Sequence, residues 1–295
     1  MRTEAAAIPA AADRSRDYTA LAKPRLNMLV VASTMAGYAM GDGEPLGALR
    51  VAGLVIGTFC VAGGASAFNQ VLERDTDALM RRTRSRPLPA QRLHPTDGLV
   101  FATAISLAGL LLTIGSSNLL AGAASLTTLL IYVAVYTPLK RTTSFSTVIG
   151  AIPGALPPII GWAAVAGELP IKAWTLFGIM FLWQLPHFLA IAWMCRDDYT
   201  RAGFPMLPVI EPDGHSTGRQ SVVYSAALIP LSLAPRLMHM TGDGYFAGAL
   251  ALGLLFLWLA VRFARSRADA DARRLFFGSI LYLPALWILM IADKL

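Results

Sequence analysis

Charged side chains are scarce in this 295-residue chain, where Asp, Glu, Lys and Arg make up 15% against 55% hydrophobic residues. An ordinary soluble domain carries about a quarter charged residues, so that class is excluded. Strict alternation of polar and apolar residues is also missing, which argues against a membrane β-barrel. Cysteine is nearly absent: Cys60 and Cys195 fall within or at the ends of apolar runs, and no disulfide framework is expected. Nor is a cleavable leader expected, because the first 25 residues are polar and mixed in charge and the first apolar run is already a full span.

What the chain does have is nine apolar runs, near 26–44, 48–70, 97–115, 118–137, 146–167, 172–194, 219–238, 243–264 and 275–292. Each approaches the roughly 20 residues that a helix needs to cross hydrocarbon. The pattern predicts an all-α integral membrane protein of nine transmembrane helices in a bundle, with 1–25 as an N-terminal segment and 26–295 as the membrane domain. Of the 25 Lys and Arg residues, 21 fall in the N-terminal segment and every second connection after it. The positive-inside rule then places the N-terminus in the cytoplasm. Topology and anionic lipid headgroups account for the net charge of +7, and no nucleic-acid partner is implied.

The second run ends by planting carboxylates in NQVLERDTD, residues 69–77. At 3.6 residues per turn Asn69, Glu73 and Asp77 share one helix face, and Asp75 points to the far side. Three oxygen-bearing side chains stacked over two turns suit a hard cation such as Mg²⁺, which completes its shell with water and substrate phosphate. A span that merely reaches the headgroups explains any one of these carboxylates; it explains the aligned set less well, because the helix C-terminus is the negative end of the dipole. A second acidic pair, Asp197 and Asp198, closes the sixth run four spans later, on the same predicted side of the membrane. Lys23 and Arg25, Arg84 and Arg86, and Lys140 and Arg141 lie on that side too. Carboxylates, metal and basic residues together make a clamp for a diphosphate whose apolar tail enters the bundle.

Four stretches carry a family resemblance: NQVLERDTDALMRRTRSRPLPA at 69–90, DYTALAKPRLNMLVV at 17–31, YTPLKRTTSFSTVIGAIPGALPPIIGW at 136–162 and WQLPHFLAIAWMCRDDYTRAGFPMLPV at 183–209. From about residue 17 onward the chain resembles the intramembrane prenyltransferases that include 4-hydroxybenzoate polyprenyltransferase, and within them the haem-farnesylating branch. The resemblance implies a nine-helix bundle around a central cavity, in a bacterial inner membrane, with its mouth facing the cytoplasm. It implies Mg²⁺ as cofactor and farnesyl diphosphate and haem b as substrates, haem O being formed with addition of water. Transient contact with a haem A synthase or a terminal oxidase follows from that product.

Carried over by position, Asn69, Glu73 and Asp77 match the first metal-diphosphate motif and Asp198 the acid of the second, while Lys23, Arg25, Lys140 and Arg141 match basic positions near the diphosphate. Glu73 stands where the wider superfamily has Asp, and Met194, four residues before Asp198, is no hard-metal ligand. Asp75, Asp197, Tyr136 and Tyr199 are further candidates beside these motifs. His187 lies about 16 Å along its helix from Asp198, at a depth where it can meet a porphyrin. Imidazole is a common haem ligand, and beside Pro186 it can equally bond a carbonyl freed by the proline. Two other readings stay open: a related prenyltransferase acting on a quinone precursor or chlorophyllide, and a cation-coupled secondary transporter, whose site would lie nearer the bilayer midplane.

Overall fold

A computed structural model describes residues 11–295. The first ten residues of the expected N-terminal segment, Arg2 among them, lie outside the described residues. Among the described residues the chain is helical, with only an isolated bridge between Thr241 and Lys294 outside helices, turns and loops. Seven helices are long and apolar enough to cross a membrane: Ala48–Leu72, Pro95–Ser116, Leu119–Leu139, Ser146–Ala166, Ile171–Met194, Asp243–Ser266 and Asp269–Ala292. Two more, Pro24–Met40 and His215–Leu237, belong to the same bundle. The first has only 17 residues, and the second opens with the polar run His215–Ser221, so neither passes on length and composition. Large apolar side chains such as Leu111, Leu281 and Ile288 stand mostly exposed along these helices, as hydrocarbon would require and water would not allow.

Local chemistry sets several boundaries. His94 caps its helix by accepting from the Thr96 N–H, with Pro95 at the first helical position. Asn118 accepts from the Ala121 N–H and starts the next span. Pro157 and Pro158 divide the fifth of the apolar runs into Ser146–Ala155 and Pro157–Ala166. Pro186, by contrast, sits inside an unbroken Ile171–Met194 helix.

The N-terminal segment is not a free tail. Its helix Ala11–Ala22 lays Leu21 into a small core with Ala67, Leu88, Leu93 and Ala102. The main core gathers Trp162, Phe256, Phe263 and Tyr245, and the Tyr245 hydroxyl donates to the Ser232 carbonyl at 2.7 Å. Two helices meet almost backbone to backbone: a Cβ on Gly161 would lie 1.8 Å from the Thr34 carbonyl oxygen, and one on Gly37 would lie 2.0 Å from that of Pro158. Gly161→Ala should therefore force the Pro24–Met40 helix outward at a cost on the order of 1–3 kcal/mol. A thermal midpoint in detergent equal to that of the parent would contradict this contact.

Candidate active site

The helix Ala48–Leu72 ends at Glu73, whose ψ of 7° leaves the helical range, yet the i to i−4 ladder runs on into Arg74–Leu79. Glu73 N–H donates to the Asn69 carbonyl at 2.9 Å and Asp77 N–H to the Glu73 carbonyl at 2.7 Å. Asn69, Glu73 and Asp77 thus stay on one face, and all three are buried. Buried carboxylates need partners. Glu73 accepts from Lys140 Nζ with both oxygens, at 3.0 and 2.9 Å, and Asp77 Oδ2 accepts from Arg86 at 2.7 Å. Asp77 Oδ1 is buried without a partner among the described residues. Asn69 donates to the Thr137 hydroxyl at 3.2 Å.

The span Leu119–Leu139 supports that last contact through a π-helical turn over Ile131–Tyr136. Pro138 brings no N–H to this stretch, and the Thr137 hydroxyl takes up the Tyr132 carbonyl at 2.9 Å while receiving Asn69. The same turn sets the Tyr132 and Tyr136 rings 5.3 Å apart, tilted by 42°, and delivers Lys140 to Glu73, its ammonium 4.7 Å from the centre of the Phe204 ring.

Lys23 joins the group from the other side. It sits between Ala11–Ala22 and Pro24–Met40 in the left-handed region, at φ 45°, and Pro24 disfavours the helical alternative for it. Burial lowers its pKa to about 7, with Arg86 and Lys140 pushing the same way and Asp77 and Glu73 opposing. An arriving diphosphate would restore the charge, so binding takes up a proton and weakens as pH rises. Relative to Lys23→Arg, the affinity for a farnesyl thiodiphosphate should fall roughly tenfold per pH unit above about 7, until the bound-state pKa is reached. Parallel profiles for the two proteins would rule Lys23 out of the clamp.

Asp198 reaches the first motif indirectly. It accepts from the Arg81 backbone N–H at 2.9 Å and from Arg201. Burial raises its pKa, but these hydrogen bonds and the Arg201 charge outweigh it, so the net shift is downward. Next to it Arg82 donates to the Tyr199 hydroxyl at 3.0 Å and lies 5.2 Å from the centre of that ring. Arg82 was not among the sequence candidates, and nothing in its local spacing marks it.

Other candidates lie elsewhere. Asp75 is exposed and pairs with Arg74, as the far-side placement implied. Arg25, Arg84 and Asp197 are exposed and make no side-chain hydrogen bond or ion pair among the described residues. Arg141 donates to the Leu72 carbonyl at 2.7 Å and so closes the end of the Ala48–Leu72 helix. His187 does not bond a carbonyl freed by Pro186: its Nδ1 lies 2.7 Å from the Ser279 hydroxyl, and its ring stacks between Trp183 and Phe276. Among the described residues no three His, Cys, Asp or Glu side chains converge on one point, so Asp198 is not gathered with Glu73 and Asp77.

The arrangement is therefore a buried set of oxygen donors held by Lys140, Arg86 and Thr137, with Lys23 nearby. Asn69, Glu73 and Asp77 fit a hard divalent cation, and the unpartnered Asp77 Oδ1 is the atom that most needs one. A protoheme IX farnesyltransferase from Solibacter usitatus is 47% identical over 95% of this chain and 99% of its own. The fold resembles that of a digeranylgeranylglyceryl phosphate synthase at a TM-score of 0.79 and 14% identity, over 95% of this chain and 98% of the other. It also resembles a UbiA homologue from Archaeoglobus fulgidus bound to DMAPP and Mg²⁺, at a TM-score of 0.66 and 16% identity over 93% and 99% of the two chains. The model of the UbiA prenyltransferase family matches residues 30–283, and the chain belongs to that family.

Proposed function

We propose that this protein transfers the farnesyl group of farnesyl diphosphate, with addition of water, to a vinyl group of haem b, giving haem O and diphosphate. The observation that carries the acceptor is the 47% identity to a protoheme IX farnesyltransferase across nearly the whole chain. The carboxylates and cations at one end of the bundle favour a diphosphate donor there, away from the midplane position of a transporter site. The nine apolar helices all span a bacterial inner membrane, residues 1–25 and the clamp face the cytoplasm, and haem O passes to a haem A synthase or terminal oxidase through a transient contact.

Asn69, Glu73 and Asp77 would hold Mg²⁺, which when bound neutralises charge developing on the leaving diphosphate. Lys140, Arg86 and Lys23 supply the complementary positive charge for phosphate oxygens. Asp198 orients the turn at Arg81, and Arg82 ties that turn to Tyr199. His187 offers Nε2 to the haem iron; an unchanged haem spectrum in His187→Ala would remove that role.

The deciding experiment is mass spectrometry of porphyrins after incubating the purified protein with haem b and farnesyl diphosphate, with and without Mg²⁺. A metal-dependent hydroxyethylfarnesyl product is expected. Diphosphate binding without any porphyrin adduct would redirect the search to another acceptor, such as a quinone precursor.

A further inference from the structure

Next to the clamp lies a cavity of about 60 Å³, lined by Tyr136, Lys140, Ser146, Thr147, Tyr199 and Phe188 among others. That is room enough for water, which needs about 10–15 Å³ of such space. Ser146 is fully buried and its hydroxyl has no hydrogen-bond partner among the described residues. Buried hydroxyls rarely go unpartnered, so the group calls for a ligand. Water needs two to four polar neighbours, and Tyr136, Lys140, Thr147 and Tyr199 line the same space.

The position matters as much as the size. Lys140 on one wall holds Glu73 of the clamp. Thr147 on the other wall also lines an apolar groove of about 280 Å³ formed with Phe145, Val148, Leu185 and Leu189. The cavity therefore lies between the charged end and apolar space.

We infer that this cavity holds the water consumed in the reaction, with Ser146 as its positioning residue. The inference rests on the proposed haem farnesylation. In that reaction the C1–O bond of farnesyl diphosphate breaks with its electron pair leaving on the diphosphate, and the terminal vinyl carbon bonds to C1. The cation left on the carbon next to the ring accepts a water lone pair, and the proton released goes to the departing diphosphate. Without a placed water the same cation loses a proton from the adjacent CH₂ to the diphosphate and becomes an alkene. That product is lighter by one water, and no oxidant or reductant is involved in either course.

Ser146→Ala and Thr147→Val each remove one hydroxyl with little change of shape. The test is the ratio of alkene to hydroxylated porphyrin by mass spectrometry, with haem b, farnesyl diphosphate and Mg²⁺ in ¹⁸O-labelled water. The parent should give mainly the labelled alcohol, and Ser146→Ala should raise the alkene ratio at least about tenfold, with a smaller rise in Thr147→Val. A loss of stability alone would slow both products equally and leave the ratio where it was. An unchanged ratio in both variants overturns the water site while the farnesylation stands. No farnesyl adduct from the parent protein overturns both.

Discussion

Asp77→Asn should lower product formation by a factor on the order of 10³ while leaving the protein folded in detergent. The carboxylate is buried, one oxygen accepts from Arg86 at 2.7 Å and the other has no partner among the described residues. Removing its charge costs the clamp a hard anionic donor that neither Asn69 nor Glu73 can replace, since Asn69 is neutral and Glu73 is occupied by Lys140. Structure should survive, because Arg86 is partly exposed and can turn to water, and the amide keeps the shape of the acid. The backbone role persists as well: the Asp77 carbonyl still accepts from the Thr83 hydroxyl at 2.7 Å. The two effects separate if product formation, Mg²⁺-dependent binding of a farnesyl thiodiphosphate and the thermal midpoint are measured together. A variant within about threefold of the parent in activity would exclude Asp77 from the chemistry.

How much of this was legible in the sequence depends on the range over which each feature is determined. Asn69, Glu73 and Asp77 share a face because of a local period of four residues, which survives the break at Glu73 since the backbone ladder continues through it. The apolar helices were legible for the same reason. Their ends were not: Asp269–Ala292 starts six residues before the apolar run at 275, because Asp271 is neutralised by Arg262 and Arg274 and can begin a helix in the polar zone. Partner choice was hidden altogether. Lys140 and Arg141 are adjacent and alike in sequence, yet the π-helical turn before them sends one to Glu73 and the other to a helix end. Lys23 turns inward through a left-handed backbone at φ 45°, which no local pattern signals. His187 found its partner in Ser279, 92 residues away, and Asp198 found a backbone N–H at Arg81. Such pairings are set by packing, which no local period encodes.

Lys140→Met should be the most destabilising single change at the mouth. The Glu73–Lys140 pair has side chains only 2% and 10% exposed, and both carboxylate oxygens depend on the one ammonium. Breaking a buried pair from one side strands the other charge, at a cost of about 3–5 kcal/mol. Methionine matches the length of lysine and can stay against Phe204, so lost packing contributes little and the stranded Glu73 dominates. Adding Glu73→Gln removes the stranded charge, and the double variant should recover about half or more of the lost stability, as neutral replacements of buried pairs often do. Activity should not return with it, because the clamp has then lost both an anionic donor for the metal and a cation for the phosphate. The cycle is measured by thermal midpoints in detergent alongside the rate of porphyrin product formation. If the double variant is no more stable than Lys140→Met, the pair is not the structural unit its geometry describes; if it regains activity, Glu73 and Lys140 serve only to neutralise each other. Recovery of stability without activity is the outcome expected of charges that are held in reserve for a substrate.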